Sequence, residues 1–235
     1  MISRNNMMVI SFAISIVFWW LMLGTVELAV GFLALIFVHE MGHYLAAKLR
    51  GIKVSPPMFT PLGAFIAMES MPASAKEEAF VGIAGPVFGT IGGFLTLAGA
   101  YMLGVPEMAT LASYAFMLNL FNLIPFSPLD GGRVSMAIDR RMWILGIPMV
   151  LYLVLTSGGS GFNLVILFLI FWQGMGDIRA RKIMADQNPA YFDVGFGTRV
   201  GYAVAYLALG AFLWWALTSP QGLLHLFARI GLPHL

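Results

Sequence analysis

The sequence predicts an all-α polytopic membrane protein, with six to seven transmembrane helices and a small re-entrant β-hairpin after the second. Three observations predict it. Hydrophobic residues make up 60% of the 235 and charged ones only 10%, against about a quarter charged in soluble chains. The mean hydropathy is +0.86, and the apolar residues fall into successive runs of bilayer-spanning length. Prolines and glycines interrupt residues 51–73, which do not read as helix. Cysteine is absent, which excludes disulfides and thiolate metal ligation and leaves His, Asp and Glu as candidate ligands. The formal net charge is only +2, and no nucleic-acid partner is expected.

Taken in order, Met7 to Leu23 is an apolar run preceded by Arg4. It is read as a span rather than a signal peptide, because no small-x-small cleavage site follows and the next helix needs a membrane neighbour. Gly24 to Glu27 turns into a second span, Val26 to about Leu49, closed by Lys48, Arg50 and Lys53. Beyond it, Lys53-Val54 and Ala64 to Met68 are short extended candidates around Pro56-Pro57, Pro61 and Gly63. Irregular backbone at membrane depth must be covered by protein or line a wet cavity. This strand pair is therefore expected beside the polar part of the second span, the alternative being an ordinary surface loop. Ser74 with Glu77 forms a capping box that opens a third span, about Phe80 to Leu103. Gly82, Gly85, Gly89, Gly92, Gly93 and Gly99 give it a smooth face for close helix packing.

A fourth span runs from Met108 to Ile124 and stops at Pro125. Two more, about Met142 to Thr156 and Phe162 to Met175, are hinged at Ser157 to Gly161. Asp177 to Phe192 is charged, a loop or surface helix, and Val200 to Leu217 is a last span before an amphipathic tail. The whole, 1–235, reads as one integral membrane domain: a core over about 1–180, then an extra span and tail over about 181–235.

The second span carries ionisable groups that apolar flanks do not explain: His39, Glu40 and His43. A charged side chain at mid-bilayer costs roughly 2.5–3.5 kcal/mol even on the lenient insertion scale, so such groups usually face the protein interior and serve a function. On a helix, residues four apart share a face, and both imidazoles can reach one ion. Glu40 lies about 100° around the helix from His39, placed to take a proton from a water held at that ion rather than to ligate it. This is the H-E-x-x-H pattern, whose chemical reading is zinc-dependent hydrolysis.

A catalytic zinc takes three protein ligands and keeps one position open. The stretch Asn119 to Arg133 supplies a single carboxylate, Asp130, where Pro125 and Pro128 break the helix and Gly131-Gly132 permit a turn. Asp130 is the best placed third ligand. Its competitors are Asp139, which sits with Arg140 and Arg141, and His225 and His234 in the tail. Asn122, an amide at membrane depth, needs partners. It could stabilise a carbonyl oxygen that gains charge during attack, or it could be an inter-helix hydrogen bond. The Gly158-Gly159-Ser160-Gly161 hinge superficially offers a serine nucleophile, but the only later histidine bases lie in the tail.

His39 to His43 on a second span, together with Asn122-Leu-Ile-Pro125 leading to Leu129-Asp130-Gly131-Gly132, resembles the site-2 protease family of intramembrane zinc metalloproteases. The resemblance covers residues 1 to about 180. It implies one zinc per chain on His39, His43 and Asp130, Glu40 as general base and Asn122 near the scissile carbonyl. The strand pair would hold an unwound substrate, a membrane protein with a transmembrane helix. One departure is visible: many members have an Asn three residues after the Gly-Pro of the third span, where this chain has Gly89.

With seven spans and a cytoplasmic N-terminus, twelve of the thirteen basic residues fall inside and only Arg229 outside. That predicts an integral protein of a cell membrane, of prokaryotic type, its metal motif in the cytoplasmic half of the bilayer. A metal-ion transporter would show ionisable residues on several spans and would not need Glu40. A non-catalytic metal-binding relative would carry the same motif without turnover.

Overall fold

A computed structural model of the protein describes residues 4–60, 63–156 and 161–219. His225, Arg229, His234 and Ser157 to Ser160 of the hinge lie outside them. The chain is predominantly helical: α1 (Arg4–Leu23), α2 (Val26–Leu49), β1 (Met58–Thr60), β2 (Gly63–Phe65), α3 (Ala75–Leu103), α4 (Pro106–Asn122), α5 (Asp130–Ile138), α6 (Trp143–Thr156), α7 (Gly161–Gln187), a short 3-10 turn (Pro189–Phe192) and α8 (Phe196–Thr218). Three of these, α2, α3 and α8, are long and apolar enough to cross a membrane, and Ile10–Leu23 and Trp143–Leu153 are shorter apolar helices. The chain divides into two compact units.

The first unit contains α1, α2, the hairpin, α3 from Ala84, α4 up to Asn119 and α8 from Ala211. Gly24, at φ +88°, reverses the chain in a conformation side chains resist. The Thr25 hydroxyl then caps α2 by accepting from the Leu28 amide at 3.2 Å. Phe32, Leu33, Leu35 and Ile36 of α2 pack with Leu111 and Ala115 of α4, and Trp19 of α1 meets Phe32 edge-on at 4.6 Å. Lipid tails are as apolar as these side chains, so helix association in a membrane depends on close contact rather than on escape from water.

The glycines of α3 supply that contact. A Cβ at Gly93 would come 2.8 Å from the Phe116 ring, and one at Gly99 2.6 Å from Met108 Cε. Gly42 of α2 repays the approach, since a Cβ there would lie 2.4 Å from the Ala84 carbonyl oxygen.

The hairpin after α2 is present, with a first strand placed later than expected. Met58 pairs with Phe65, Phe59 with Ala64 and Thr60 with Gly63, antiparallel. Lys53-Val54 and Ala67 to Glu69 extend the ladder: Val54 bridges Met68, and the Ser55 amide donates to the Ala67 carbonyl at 2.9 Å. Phe59 stacks on Phe37 of α2 with centroids 6.2 Å apart, which ties the hairpin to the helix carrying the histidines.

The second unit contains α3 up to Ile83, the end of α4, α5, α6, α7, the 3-10 turn and α8 up to Gly210. Ser74 caps α3, its hydroxyl accepting from the Glu77 amide at 3.3 Å, while Glu77 reaches back to the Ala73 amide at 2.9 Å. The charged segment after Met175 does not leave the helix, because α7 runs on to Gln187. Arg181 of that extension forks onto Glu78 at 2.5 and 3.0 Å, and Tyr191 donates to the same carboxylate at 2.8 Å. Burial, reinforced by Glu78, pushes the Tyr191 hydroxyl well above its usual range, so it remains a donor. Arg199 donates to three carbonyls, Val194 at 2.8 Å, Ile138 at 2.8 Å and Phe192 at 3.2 Å, pinning the 3-10 turn to the end of α5.

Residues 130–138 correct an expectation. Gly131 and Gly132 do not make a turn; neither is among the glycines at positive φ, and both lie in the first turn of a helix, α5. Their use is close approach. A Cβ at Gly131 would lie 2.2 Å from the Leu123 carbonyl oxygen, and one at Gly132 2.6 Å from the Ser127 amide nitrogen.

Candidate metal centre

α2 delivers two buried imidazoles. His39 is 4% exposed and His43 3%, and their Nε2 atoms are 3.2 Å apart with the rings nearly perpendicular. Glycine makes room for them, because a Cβ at Gly85 of α3 would stand 2.2 Å from His43 Nε2. Any side chain at position 85 would occupy the place of that ring.

The other nitrogen of His39 is also committed. Its Nδ1 lies 2.7 Å from Asn119 Oδ1 of α4. The Asn119 amide nitrogen donates to the Ala115 carbonyl at 2.7 Å, and a carbonyl can only accept, so the atom facing His39 is the amide oxygen. His39 therefore donates from Nδ1 and keeps its lone pair on Nε2, facing His43. Partners of this kind fix the tautomer and ring orientation of metal-ligating histidines. Asn119 is 1% exposed, and its carboxamide occupies the space left by Gly89, where a Cβ would lie 2.4 Å from Oδ1. Glycine at position 89 thus makes room for an amide supplied by α4.

Asp130 opens α5 and is buried. The backbone before it is held from two helices: Ser127 donates to Asp177 of α7, and the Tyr206 hydroxyl of α8 donates to the Leu123 carbonyl. Gly174 and Gly146 let α7 and α6 close on this segment, since a Cβ at Gly174 would meet Ser127 and one at Gly146 Pro125. His39, His43 and Asp130 each offer one ligand atom, and these atoms lie within 4.8 Å of one another.

This donor set fits zinc. Two bonds of about 2.0–2.1 Å at a near-tetrahedral angle put their nitrogens about 3.3 Å apart, close to the 3.2 Å between the Nε2 atoms. Two imidazoles and one carboxylate are also a ligand set that leaves a position open.

Of the other residues singled out in the sequence, Glu40 is buried on α2 beside His39. Asn122 is the last residue of α4 and half-buried. Asp139 is no ligand: it is exposed at the end of α5 and accepts from the Arg141 amide at 2.8 Å. Asn119 was missed. The available signal was its amide inside an apolar run, three residues before the more noticeable Asn122.

Comparison with known proteins agrees with the geometry. Residues 27–111, which include both histidines and Glu40, match the model of peptidase family M50. A zinc metalloprotease of Methanocaldococcus jannaschii is 34% identical over 113 residues, 46% of this chain and 33% of that protein. Rip3 of Mycobacterium tuberculosis, provisionally named a zinc metalloprotease, is 31% identical over 133 residues, 52% of this chain and 33% of its own length. The matched region thus spans about a third of each of these relatives. Over residues 27–111 the chain is thus similar to peptidase family M50, the site-2 protease family.

Proposed function

We propose that the chain is an intramembrane zinc endopeptidase that cleaves a transmembrane segment of a membrane-protein substrate. The observation that carries this reading is the buried group of His39, His43 and Asp130 with ligand atoms within 4.8 Å of one another. In this reading those three residues hold one zinc per chain, Glu40 is the general base and Asn122 faces the scissile carbonyl. Bound there, zinc supplies a Lewis acid and brings the pKa of a coordinated water toward neutrality.

The protein's own residues do the rest. Asn119 keeps the His39 lone pair on Nε2, and Glu40 takes the proton of the attacking water and returns it to the leaving amine. Asn122 donates from its amide to the carbonyl oxygen as that oxygen gains charge. A helical substrate hides its amides in intrahelical hydrogen bonds, so the target segment must first unwind. The free edge of the hairpin can receive it as an added strand. One membrane domain of six to seven spans, in the cell membrane of a prokaryote with its N-terminus in the cytoplasm, completes the reading. Its support is the apolar composition and the distribution of basic residues.

The ligand assignment is tested by metal analysis of purified variants. Asp130→Ala is expected to lose zinc and activity together, and Glu40→Gln to keep zinc and lose activity. Zinc retained by Asp130→Ala would move the third ligand elsewhere.

A further inference from the structure

Away from the metal centre, the second unit carries a basic recess that the proposed chemistry does not use. A cavity of about 530 Å³ opens between the end of α5, the 3-10 turn and α8. A smaller one of about 250 Å³ adjoins it along α7 and shares Arg140 and Arg141 with it. Five cations line the pair: Arg140, Arg141, Arg181, Lys182 and Arg199.

Two of the five are already engaged. Arg181 is paired with Glu78, and Arg199 spends its donors on three backbone carbonyls. Arg140, Arg141 and Lys182 have no side-chain hydrogen bond or ion pair among the described residues. Asp139, which lines the larger cavity, is turned to the Arg141 amide. Asp139, Asp186 and Asp193 are the acids on the two walls; with Arg181 balanced by Glu78, the four other cations leave an excess of one positive charge.

The surroundings select the kind of anion. Arg140 and Arg141 stand one residue ahead of α6, whose first residue, Trp143, lines the smaller cavity. Exposed Ile144 and Leu145 follow, with Met149 and Leu151 farther along the helix. Guanidinium groups at the foot of an exposed apolar helix, with an indole between, match a membrane interface. Arginine forks match phosphate oxygens in pairs. We propose that the Arg140–Arg141–Lys182 recess binds the phosphate of an anionic phospholipid, whose acyl chains lie along the exposed face of α6. The site is independent of the metal centre and of the proposed protease activity.

The test uses the full chain purified in mild detergent, with phosphatidylglycerol and phosphatidylcholine as probes and native mass spectrometry as the readout. The wild type is expected to retain phosphatidylglycerol about tenfold better than phosphatidylcholine, and Arg140→Gln/Arg141→Gln to lose that preference. Lys76→Gln/Arg179→Gln removes the same charge from exposed positions outside the recess and is expected to keep it. If the first double variant does not fold, Lys182→Gln, on the surface of α7, is expected to lower the preference about threefold. Undiminished preference in the folded recess variants, or equal loss in the control pair, would overturn the proposal. Displacement of the lipid by glycerol phosphate at equal concentration would also overturn it, in favour of a site for free phosphate esters.

Discussion

His39 donates from Nδ1 to Asn119 Oδ1 at 2.7 Å, and that single bond decides which nitrogen of His39 faces the metal centre. The amide is locked in turn by the Ala115 carbonyl, so neither ring nor carboxamide can flip without leaving a buried polar atom unpaired. Asn119→Ala should lower zinc affinity by about 10- to 100-fold, the usual effect of losing such a partner. Competition with a chromogenic chelator measures it. Unchanged affinity would mean that His39 is oriented by packing alone.

Gly85 makes a separate prediction about the same centre. Ala at this position needs the volume now filled by the His43 ring. Gly85→Ala should therefore lower zinc affinity at least about tenfold, because His43 must turn away from its partner ligand. Gly201→Ala, on α8 with nothing near its missing Cβ, should leave the metal untouched and gain about 0.5–1 kcal/mol in helix stability. Zinc titration and thermal unfolding of the two variants separate a steric effect on the ligand from a general effect of removing glycine.

The Glu78–Arg181–Tyr191 group holds the second unit together by a different force. Glu78→Gln strands the Arg181 charge in a largely buried position and should cost about 3 kcal/mol. Replacing both partners, Glu78→Gln with Arg181→Met, should recover at least half of that loss, since the uncharged pair leaves no orphaned charge. Unfolding in detergent at a fixed lipid ratio measures the series. Additive losses in the double variant would contradict coupling through this pair.

Strand addition at the hairpin is tested by proline. A proline at Ile66 removes one backbone amide from the segment that would receive the substrate, and leaves in place the Ala67 amide, which the hairpin itself uses on the Ser55 hydroxyl. Cleavage should fall at least about tenfold while zinc content stays unchanged. Full activity in the folded proline variant would mean that the substrate is not held as an added strand.

The residues themselves disclosed much of this protein, and the places where they did not are instructive. His39, His43 and Asp130 stood out because ionisable groups are costly in apolar runs, and the structure brings the three together. The Ser74–Glu77 cap and the start of α6 were legible because their signals are local. α5 was not, because Gly131 and Gly132 argue locally for a turn while their real constraint is the Leu123 and Ser127 backbone lying against them. Strand Met58–Thr60 was hidden between Pro57 and Pro61, where turn signals outweigh three residues of β pattern. The charged end of α7 reads equally as loop or surface helix until Glu78, 103 positions away, is seen to hold Arg181. Asn119 escaped notice for the same reason, since its meaning lies in His39, 80 positions earlier.

The most direct measurement is cleavage of a reporter with a single transmembrane helix by the detergent-purified protein, with zinc content determined on the same sample and Glu40→Gln run alongside. The proposal predicts about one zinc in both proteins, cleavage within the reporter's membrane segment by the wild type, and none by the variant. Cleavage by Glu40→Gln at the wild-type rate, or a wild type that cleaves with no zinc bound, would contradict it.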